Sequence, residues 1–517
     1  MNSSASNPAS RRGSGSPPEP PEPPNPREPR AGSLEPQWVE ASPTWDAIKL
    51  ALKPLASLRL TVVLFGLGMF LVLAGTLAQV DYGIWEVMDS YFRTPIAWIE
   101  LQVFMPNEWA REIGLINENG ENLAIPFPGG YILGGLMIVN LVAAHAIRFK
   151  VTARADQRLI GIIGTIIGSG IILFAILAAT QPVWPLKHPL PFWTVFGISL
   201  AGITLLCVPS HLLYKKRTGI VLLHAGVIIL LINEAVTGLG AVEGRMEIPQ
   251  QGTSNYVYDL ESSELAFSRT DDEGVQHVIV VPESMLAEAY DTLEPIDDSR
   301  LPVILKVVEY MPNSTLVEVK SPGGTNPATR GRIGQEFMAL GQKVGTGVDG
   351  DAGADTPSAY ITFIDRVTKA DLGTFLFSVR ISQGSGFYED VTIDGKAYKV
   401  NLQFAREYKP YSIHLIEFRH DKFTGTDKPR NFSSEILLFD EDHPKGRKAL
   451  IKMNEPLRYR GETFFQAAFL PGDRGTILQV VRNPGYLISY IGCTMVAVGM
   501  TWHFILHLIG YVRKAMK

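Results

Sequence analysis

Six apolar runs, each close to the roughly 20 residues that cross a hydrocarbon core, divide the chain into hydrophobic and polar segments. They lie at about 60–80, 130–148, 159–179, 192–213, 219–239 and 486–509. The pattern predicts a polytopic α-helical membrane protein with about six spans. Five would form a bundle over residues 55–239, and the sixth would lie within residues 485–517.

A shorter apolar stretch follows the first run. Residues 96–109 contain Trp98 and Trp109, and also Glu100. Tryptophan is enriched at the membrane–water interface. This stretch therefore predicts an interfacial helix and not a further span.

The segment 240–484, between the fifth and sixth runs, has a different pattern. Short stretches rich in Val, Ile, Phe and Tyr alternate with turn residues, at 303–310, 360–364, 374–381, 398–404, 412–418, 435–439 and 464–469. Such stretches are typical of β-strands. We expect a large all-β, sandwich-like domain, with a long loop at 322–357, where Gly, Ala, Thr and Asp are frequent.

Lysine and arginine gather in four places close to the spans: Lys53 with Arg59, 148–158, 215–217 and 513–517. Because cytoplasmic loops carry an excess of these residues, all four clusters are expected on the cytoplasmic side. Both termini are then cytoplasmic, and residues 240–484 lie outside. Residues 1–45, dominated by Pro, Ser, Glu and Arg, predict a disordered cytoplasmic tail.

Composition excludes several functions. The 517 residues are 46% hydrophobic and 19% charged, with a formal net charge of −5 and no dense basic block interleaved with aromatic residues, so nothing suggests a nucleic-acid surface. Cys207 and Cys493 lie far apart in separate apolar runs and form neither a Cys-x-x-Cys pair nor a disulfide framework. The chain itself is therefore not expected to be a c-type cytochrome or a thioredoxin-like reductant.

Five of the ten histidines fall within apolar runs or at their ends. An imidazole in a bilayer is costly unless it faces protein and has a partner. His145 and His224 are the least interfacial of them, in the inner halves of the second and fifth runs. Neutral imidazole is a standard axial ligand of haem iron. These two residues are candidate haem-iron ligands; the alternative is that each is a hydrogen-bonded packing residue.

The other histidines and one glutamate are weaker candidates. His503 is a second-rank ligand candidate, His211 and His507 are expected at the interface, and His188 lies in a surface loop where it contacts solvent or haem. The histidines of the outer segment lack zinc-type spacing and are interpreted as structural: His277, His414, His420 and His443. Glu234 is expected at the outer interface.

Two small-residue motifs, Gly130-x-x-x-Gly134 and Gly164-x-x-x-Gly168, predict close helix packing.

Several short sequences, in order and at matching spacing, resemble one family. The closest match is Asn454–Gln466, and the others are Gly75–Gln79 after Leu58–Leu60, Asn140–His145, Leu223–Gly226, and Phe423–Thr426 with 429–434. They resemble the ResB/CcsB family of cytochrome c biogenesis proteins from Leu55 to the C-terminus. The family usually has three spans before its outer domain, so residues 159–213 look like an added helical hairpin.

The resemblance implies a system II cytochrome c biogenesis complex in the bacterial inner membrane, with the large domain in the periplasm. Such a complex carries haem b across the membrane and attaches it to the Cys-x-x-Cys-His thiols of an apocytochrome c. The implied partners are a CcsA-type haem lyase subunit, the apocytochrome and a thiol-reducing thioredoxin-like protein. This chain lacks the Trp-rich tract of the CcsA partner, so it is expected to be a non-catalytic subunit of a holocytochrome c synthase.

Two other functions remain open from the residues alone. A b-type cytochrome that passes electrons across the membrane would need histidine pairs near both faces, and only the inner face is well supplied. A membrane-anchored scaffold would use the β-domain to dock a partner, with every histidine structural. The sequence also leaves open whether His145 and His224 share one haem or whether a ligand comes from the partner.

Overall fold

The apolar runs of the sequence form long helices. The computed structural model describes residues 43–115, 122–148, 151, 153–180, 190–319, 326–345, 355–425 and 429–516; residues 1–42 of the predicted tail, and His188, lie outside these ranges. The helices in chain order are α1 (Pro43–Leu55), α2 (Leu58–Ala78), α3 (Ile84–Val87), α4 (Asn107–Glu112), α5 (Gly130–Arg148), α6 (Ala155–Thr180), α7 (Phe192–Tyr214), α8 (Thr218–Gly240), α9 (Glu283–Thr292), α10 (Arg332–Glu336), α11 (Val379–Ser385) and α12 (Tyr486–Ala515).

Five helical stretches of the described chain are long and apolar enough to cross a membrane. They are α2, α5, α6, α12 and a 49-residue stretch, Phe192–Gly240, that contains α7 and α8. Apolar helices therefore lie at all six predicted positions. The number of crossings and the orientation stay predictions.

The stretch Phe192–Gly240 bends sharply at a 3-10 turn, Lys215–Arg217. Lys215 has a φ of 49°, and the Thr218 hydroxyl donates a 3.1 Å hydrogen bond to the carbonyl of Ser210. Eight residues of continuous helix would separate these two residues by about 12 Å. The chain therefore reverses at this basic cluster and does not continue as one helix.

Glycines allow α6 to approach α7. A Cβ on Gly164 would lie 2.9 Å from Cβ of Pro209, and one on Gly168 would lie 2.8 Å from Cγ of Leu206. The helix packing predicted for this pair of glycines is confirmed. It joins the two helices of the segment that the sequence marks as an added hairpin.

The other small-residue motif has a different role. A Cβ on Gly134 would meet no atom of the described chain within 4 Å, and Gly130 lies against the backbone of Phe92, in the π-helical turn Met88–Phe92. The helix packing predicted for this motif is wrong, because one of its glycines faces open space.

The backbones of α8 and α12 also approach each other closely. A Cβ on Gly499 would lie 2.6 Å from the amide nitrogen of Leu223 and 2.8 Å from the carbonyl oxygen of Gly219, and one on Gly226 would lie 2.9 Å from the carbonyl oxygen of Gly492. Backbone atoms cannot rotate away as a side chain can. The contact between these helices therefore depends on glycine on both sides.

The helix predicted at 96–109 is wrong in its first half. Residues Ile96–Glu100 form strand β1, which pairs antiparallel with β2 (Ala124–Pro128), and the 3-10 turn Leu101–Phe104 and α4 follow. Burial alternates along β1, with Ala97 and Ile99 inside. This period of two is typical of a strand. The prediction of a helix relied on the two tryptophans, which indicate an interface and not a type of secondary structure.

Fifteen strands of the described chain belong to the outer segment. They are β3 (Val242–Pro249), β4 (Thr253–Thr270), β5 (Gln276–Pro282), β6 (Ile304–Met311), β7 (Ser314–Glu318), β8 (Phe337–Gly341), β9 (Ser358–Ile364), β10 (Asp371–Ser378), β11 (Glu389–Ile393), β12 (Lys396–Lys422), β13 (Pro429–Phe439), β14 (Arg447–Lys452), β15 (Leu457–Tyr459), β16 (Glu462–Phe469) and β17 (Gly475–Arg482). The predicted β-rich domain is confirmed.

The largest sheet has ten antiparallel strands, in the order β14-β13-β12-β4-β3-β17-β16-β15, with β11 and β5 paired to β12 and β4. Its two end strands, β14 and β15, are joined by a short turn that the Lys452–Glu455 bridge closes, and side chains from both end regions share one core, so the sheet is nearly closed. It encloses one apolar core, which includes Ile248, Ile413 and Phe464.

A second core accounts for the sandwich-like part of the prediction. The second half of β4 and the first half of β12 face the three-stranded sheet β10-β9-β6. In this core, the ring centres of Phe267 and Phe363 are 5.6 Å apart. The long strands β4 and β12 thus contribute to both cores. The expected sandwich describes one half of the domain, and a nearly closed sheet forms the other half.

Two details of the sequence prediction are corrected. The strands expected at 398–404 and 412–418 are parts of the single strand β12, because the Tyr408–Tyr411 region bulges without leaving the sheet. The loop expected at 322–357 contains α10 and β8 in its described part.

Glycine at the α8–α12 contact generates a stability prediction. Gly499→Ala places a methyl group against backbone nitrogen and oxygen, so we expect a clear loss of stability, whereas Gly134→Ala adds a methyl group in open space and should have little effect. Thermal unfolding midpoints of the detergent-solubilised variants measure the difference. Equal midpoints for the two variants would contradict this account of the helix contact.

Candidate functional site

The structure brings the two predicted ligand residues into contact. His145 on α5 and His224 on α8 are 79 residues apart in sequence, yet Nδ1 of His224 lies 3.3 Å from Nε2 of His145. The ring centres are 4.9 Å apart and the rings are nearly perpendicular, at 85°. Both side chains are half-buried. The sequence named both residues as candidate ligands and left open whether they share one haem; the fold places the two rings in contact.

A backbone carbonyl fixes the orientation of one ring. Nδ1 of His145 donates a 2.8 Å hydrogen bond to the carbonyl oxygen of Leu141, one turn earlier in α5. A carbonyl oxygen can only accept, so the proton of the neutral ring is on Nδ1. Nε2 of His145 then carries a lone pair, and it is this atom that faces His224.

Helix α5 is held against α2 by a residue that was not predicted from the sequence. Asn140 is 2% exposed. Its amide nitrogen donates to the carbonyls of Leu55 (2.6 Å) and Ser57 (3.2 Å), and its amide oxygen accepts from the Thr61 hydroxyl (2.7 Å). Asn140 directly precedes Leu141, whose carbonyl binds His145, so these three bonds position the helical turn that carries the histidine. A buried Asn inside an apolar run was the signal available in the sequence.

Helix α8 is positioned from two sides. At its start, the Arg217 guanidinium donates a 2.8 Å hydrogen bond to the carbonyl of Arg148 at the end of α5. On another side, the close contact of Leu223 with Gly499 of α12 fixes the residue that precedes His224. The two basic clusters that bound these helices therefore lie together, as expected if both are at the same face of the membrane.

The remaining membrane histidines form separate contacts. His503 and His507 pack together on α12 with ring centres 4.4 Å apart, and His211 of α7 lies 5.8 Å from the ring of Trp502. Buried ring nitrogens of His211, Trp502 and His503 have no hydrogen-bond partner in the described chain. Their roles stay open on the geometry.

The remaining polar candidates are either exposed or hydrogen-bonded to nearby residues. Glu234 is exposed on α8, while its neighbour Asn233 is buried and donates to the Ser489 hydroxyl of α12 at 2.8 Å. In the outer domain each histidine has a hydrogen bond to a nearby side chain, the pairs being His277–Asp271, His414–Thr253, His420–Asp473 and His443–Asp440. This is compatible with the structural role predicted for those four.

The segment 454–469 links the outer domain to the helices. The Arg458 guanidinium lies over the rings of Phe192 and Tyr486, 5.0 and 4.7 Å from their centres, where α7 and α12 begin. A cation over an aromatic face is attractive. The sequence identified this segment by likeness alone, and its contact with two helix ends gives it a physical role.

A buried ion pair fixes the same segment inside the sheet. Lys409 and Glu462 have side chains only 6% and 8% exposed and are joined by a 2.6 Å contact. The Tyr411 hydroxyl also donates to Glu462. Burial, together with the hydrogen bond to this carboxylate, raises the pKa of Tyr411. Lys409 also pairs with Glu407 at 2.7 Å, so it is removal of Lys409 that would leave the buried carboxylate of Glu462 without an ion-pair partner.

The donor set of the histidine pair fits haem better than a bare metal ion. No group of three or more His, Cys, Asp or Glu residues that could hold a metal ion occurs among the described residues. Two imidazoles are too few to hold a bare ion of the zinc type, which takes three or four protein ligands. A porphyrin brings its own nitrogens and needs only axial imidazole from the protein.

Comparison with known proteins confirms the resemblance to the ResB/CcsB family. Residues 369–475 match the ResB-like family. Protein NrfI of Wolinella succinogenes is 29% identical over 96 residues, which are 19% of this chain and 11% of that protein. The chloroplastic cytochrome c biogenesis protein CCS1 of Oryza sativa subsp. japonica is 31% identical over 126 residues, which are 24% of this chain and 21% of that protein. The chain thus matches well under two thirds of the length of each relative.

The contacts of Asn140 generate a second prediction. Asn140→Leu leaves the Leu55 carbonyl without its donor, whereas the Ser57 carbonyl keeps the backbone N–H of Thr61, so we expect a loss of about 1 to 3 kcal/mol in the free energy of unfolding. Thr61→Val removes only one of the three hydrogen bonds and should cost less. Chemical unfolding of the solubilised variants gives both values. A larger effect of Thr61→Val than of Asn140→Leu would show that Asn140 does not hold α2 to α5.

Proposed function

We propose that this chain, which carries a ResB-like segment in its outer domain, is a membrane subunit of a cytochrome c biogenesis complex. In this role it holds haem b at His145 and His224 and presents it, together with a CcsA-type partner, to apocytochrome c. The chain would be a non-catalytic part of a holocytochrome c synthase. Thioether formation would belong to the partner, and a thioredoxin-like protein would keep the apocytochrome thiols reduced.

The contact between His145 and His224 carries the proposal. Two half-buried imidazoles from different apolar helices meet at 3.3 Å, and one of them has its tautomer set by a backbone carbonyl. A metal-ligating histidine typically donates its other ring N–H to an acceptor that orients the ring. The pair is thus prepared to offer nitrogen to a metal.

The family match supports the wider role. A relative over 126 residues is named as a cytochrome c biogenesis protein, and the ResB-like residues 369–475 lie in the outer β-domain. That domain is tied to the starts of α7 and α12 through Arg458. A rigid link of this kind would keep the outer domain at a fixed position above the helices that carry haem.

The proposed location is the bacterial inner membrane, with both termini in the cytoplasm and the outer domain in the periplasm. The hydrogen bond between Arg217 and the carbonyl of Arg148 groups two basic clusters at the end of the bundle where the histidine pair lies. Positive clusters favour the cytoplasmic face. Haem made in the cytoplasm would therefore meet the pair near its face of entry.

Haem content of the purified protein tests the proposal. We expect a Soret band in the full-length detergent-solubilised chain, with strong loss of that band in His224→Ala and a reduced band in His145→Ala. The matched control is His277→Ala, an exposed histidine of the outer domain whose side chain is 57% exposed. It should leave the haem content unchanged.

A second arm uses cells from which this chain is deleted. Covalent haem staining of c-type cytochromes should disappear, while b-type haem proteins persist, and the wild-type chain should restore the staining. Persistence of the staining in the deletion would overturn the biogenesis role. A Soret band with intact c-type cytochromes would instead favour a b-type electron carrier, and a chain without haem would favour a docking scaffold.

A further inference from the structure

We infer that the two histidines of the pair have different roles: His224 is the residue that gives a nitrogen to haem iron, and His145 is a positioning residue that accepts the Nδ1 proton of His224. This assignment rests on the proposed haem-holding function. On sequence alone, both rings were equal candidates for ligation of haem iron, and this inference assigns that role to one of them.

The direction of the hydrogen bonds follows from the Leu141 carbonyl. That oxygen accepts from Nδ1 of His145 at 2.8 Å. A neutral imidazole has one N–H and one lone pair. With the proton on Nδ1, Nε2 of His145 can only accept.

The second step assigns the proton of the other ring. Nδ1 of His224 is the atom 3.3 Å from Nε2 of His145. Because that Nε2 is an acceptor, Nδ1 of His224 is the donor. The lone pair of His224 is then on Nε2, and within the described chain this atom has no hydrogen-bond partner.

The chain of bonds therefore runs from His224 through His145 to the carbonyl of Leu141. Its first atom, Nε2 of His224, is the one nitrogen of the pair that these two hydrogen bonds leave available. Both nitrogens of His145 are engaged, one with Leu141 and one with His224. This is the arrangement in which an outer partner orients a metal-binding histidine and raises its basicity.

The distances also argue against two ligands on opposite faces of one iron. Imidazole nitrogen binds metals at about 2.0–2.1 Å, so two opposite ligands would place their nitrogens about 4 Å apart with a porphyrin between them. Here the facing nitrogens are 3.3 Å apart, the rings are in edge contact, and one of the facing atoms is Nδ1, beside its own Cβ. For both rings to bind one iron, this contact would have to break.

Four substitutions separate a ligand from a positioning residue. His224→Gly removes the proposed ligand and opens space for free imidazole, and His145→Gly opens the same space at the other ring. His145→Leu removes the acceptor and keeps an apolar side chain of similar length. His145→Gln keeps an acceptor oxygen, which makes it the matched control for His145→Leu.

Haem titration into the full-length solubilised apoprotein measures affinity. We expect His145→Leu to bind haem about 10- to 100-fold more weakly, the usual effect of losing an outer partner of a metal ligand. His145→Gln should stay within about threefold of wild type on the same principle. His224→Gly should bind haem only when imidazole is added, whereas His145→Gly should still bind haem weakly without it, because His224 supplies the ligand.

Spectroscopy gives a readout that a merely structural role would not change. In the ferrous protein, loss of the hydrogen bond to Nδ1 of His224 should lower the iron–histidine stretching frequency in the resonance Raman spectrum and raise the reduction potential. His145→Leu should show both shifts, and His145→Gln should show neither. The thermal unfolding midpoint of each variant shows whether the chain is still folded.

The outcomes distinguish failure of this inference from failure of the proposed function. If wild type binds haem and His145→Gly binds none without added imidazole, then His145 is itself a ligand and the division of roles is wrong. The division of roles is also wrong if His145→Leu binds haem with an unchanged iron–histidine frequency. If wild type binds no haem at all, the haem-holding function fails first.

Discussion

The structure depends on one constraint of the bilayer: a polar group buried among apolar helices must find its partner inside the protein. Asn140, Asn233, His145 and His224 all lie in or at the ends of long apolar helices, and each is hydrogen-bonded to another helix or to its own. These bonds set which helices are neighbours. The histidine pair follows from the same constraint, since Nε2 of His145 and Nδ1 of His224 are hydrogen-bonded to each other.

Glycine supplies the complementary constraint of close packing. The backbones of α8 and α12 approach within a distance that excludes even a methyl group at Gly499, and the residue opposite, Leu223, precedes His224. The position of the imidazole is therefore fixed by backbone contact on one side and by His145 on another. In a site formed by two long helices, close backbone packing of this kind fixes the positions of the side chains that the helices carry.

The outer domain obeys a different rule. It contains no cysteine, so three apolar clusters and a few buried polar groups hold it together, among them the Lys409–Glu462 pair. Residues 454–469 participate in both the sheet and the contact with Phe192 and Tyr486. The segment that most resembles the ResB/CcsB family is thus the one that couples the β-domain to the helix ends.

The sequence by itself determined the class of protein, the positions of the apolar helices and the identity of the β-rich segment, because these follow from local hydrophobic periodicity. It also singled out His145 and His224, since an imidazole in an apolar run is conspicuous. Tertiary structure alone decided that these rings touch, that β12 is one strand, that residues 96–100 pair as a strand with Ala124–Pro128, and that Gly134 faces open space. Each of these is a pairing between distant residues, and periodicity along one segment contains no information about which other segment will meet it.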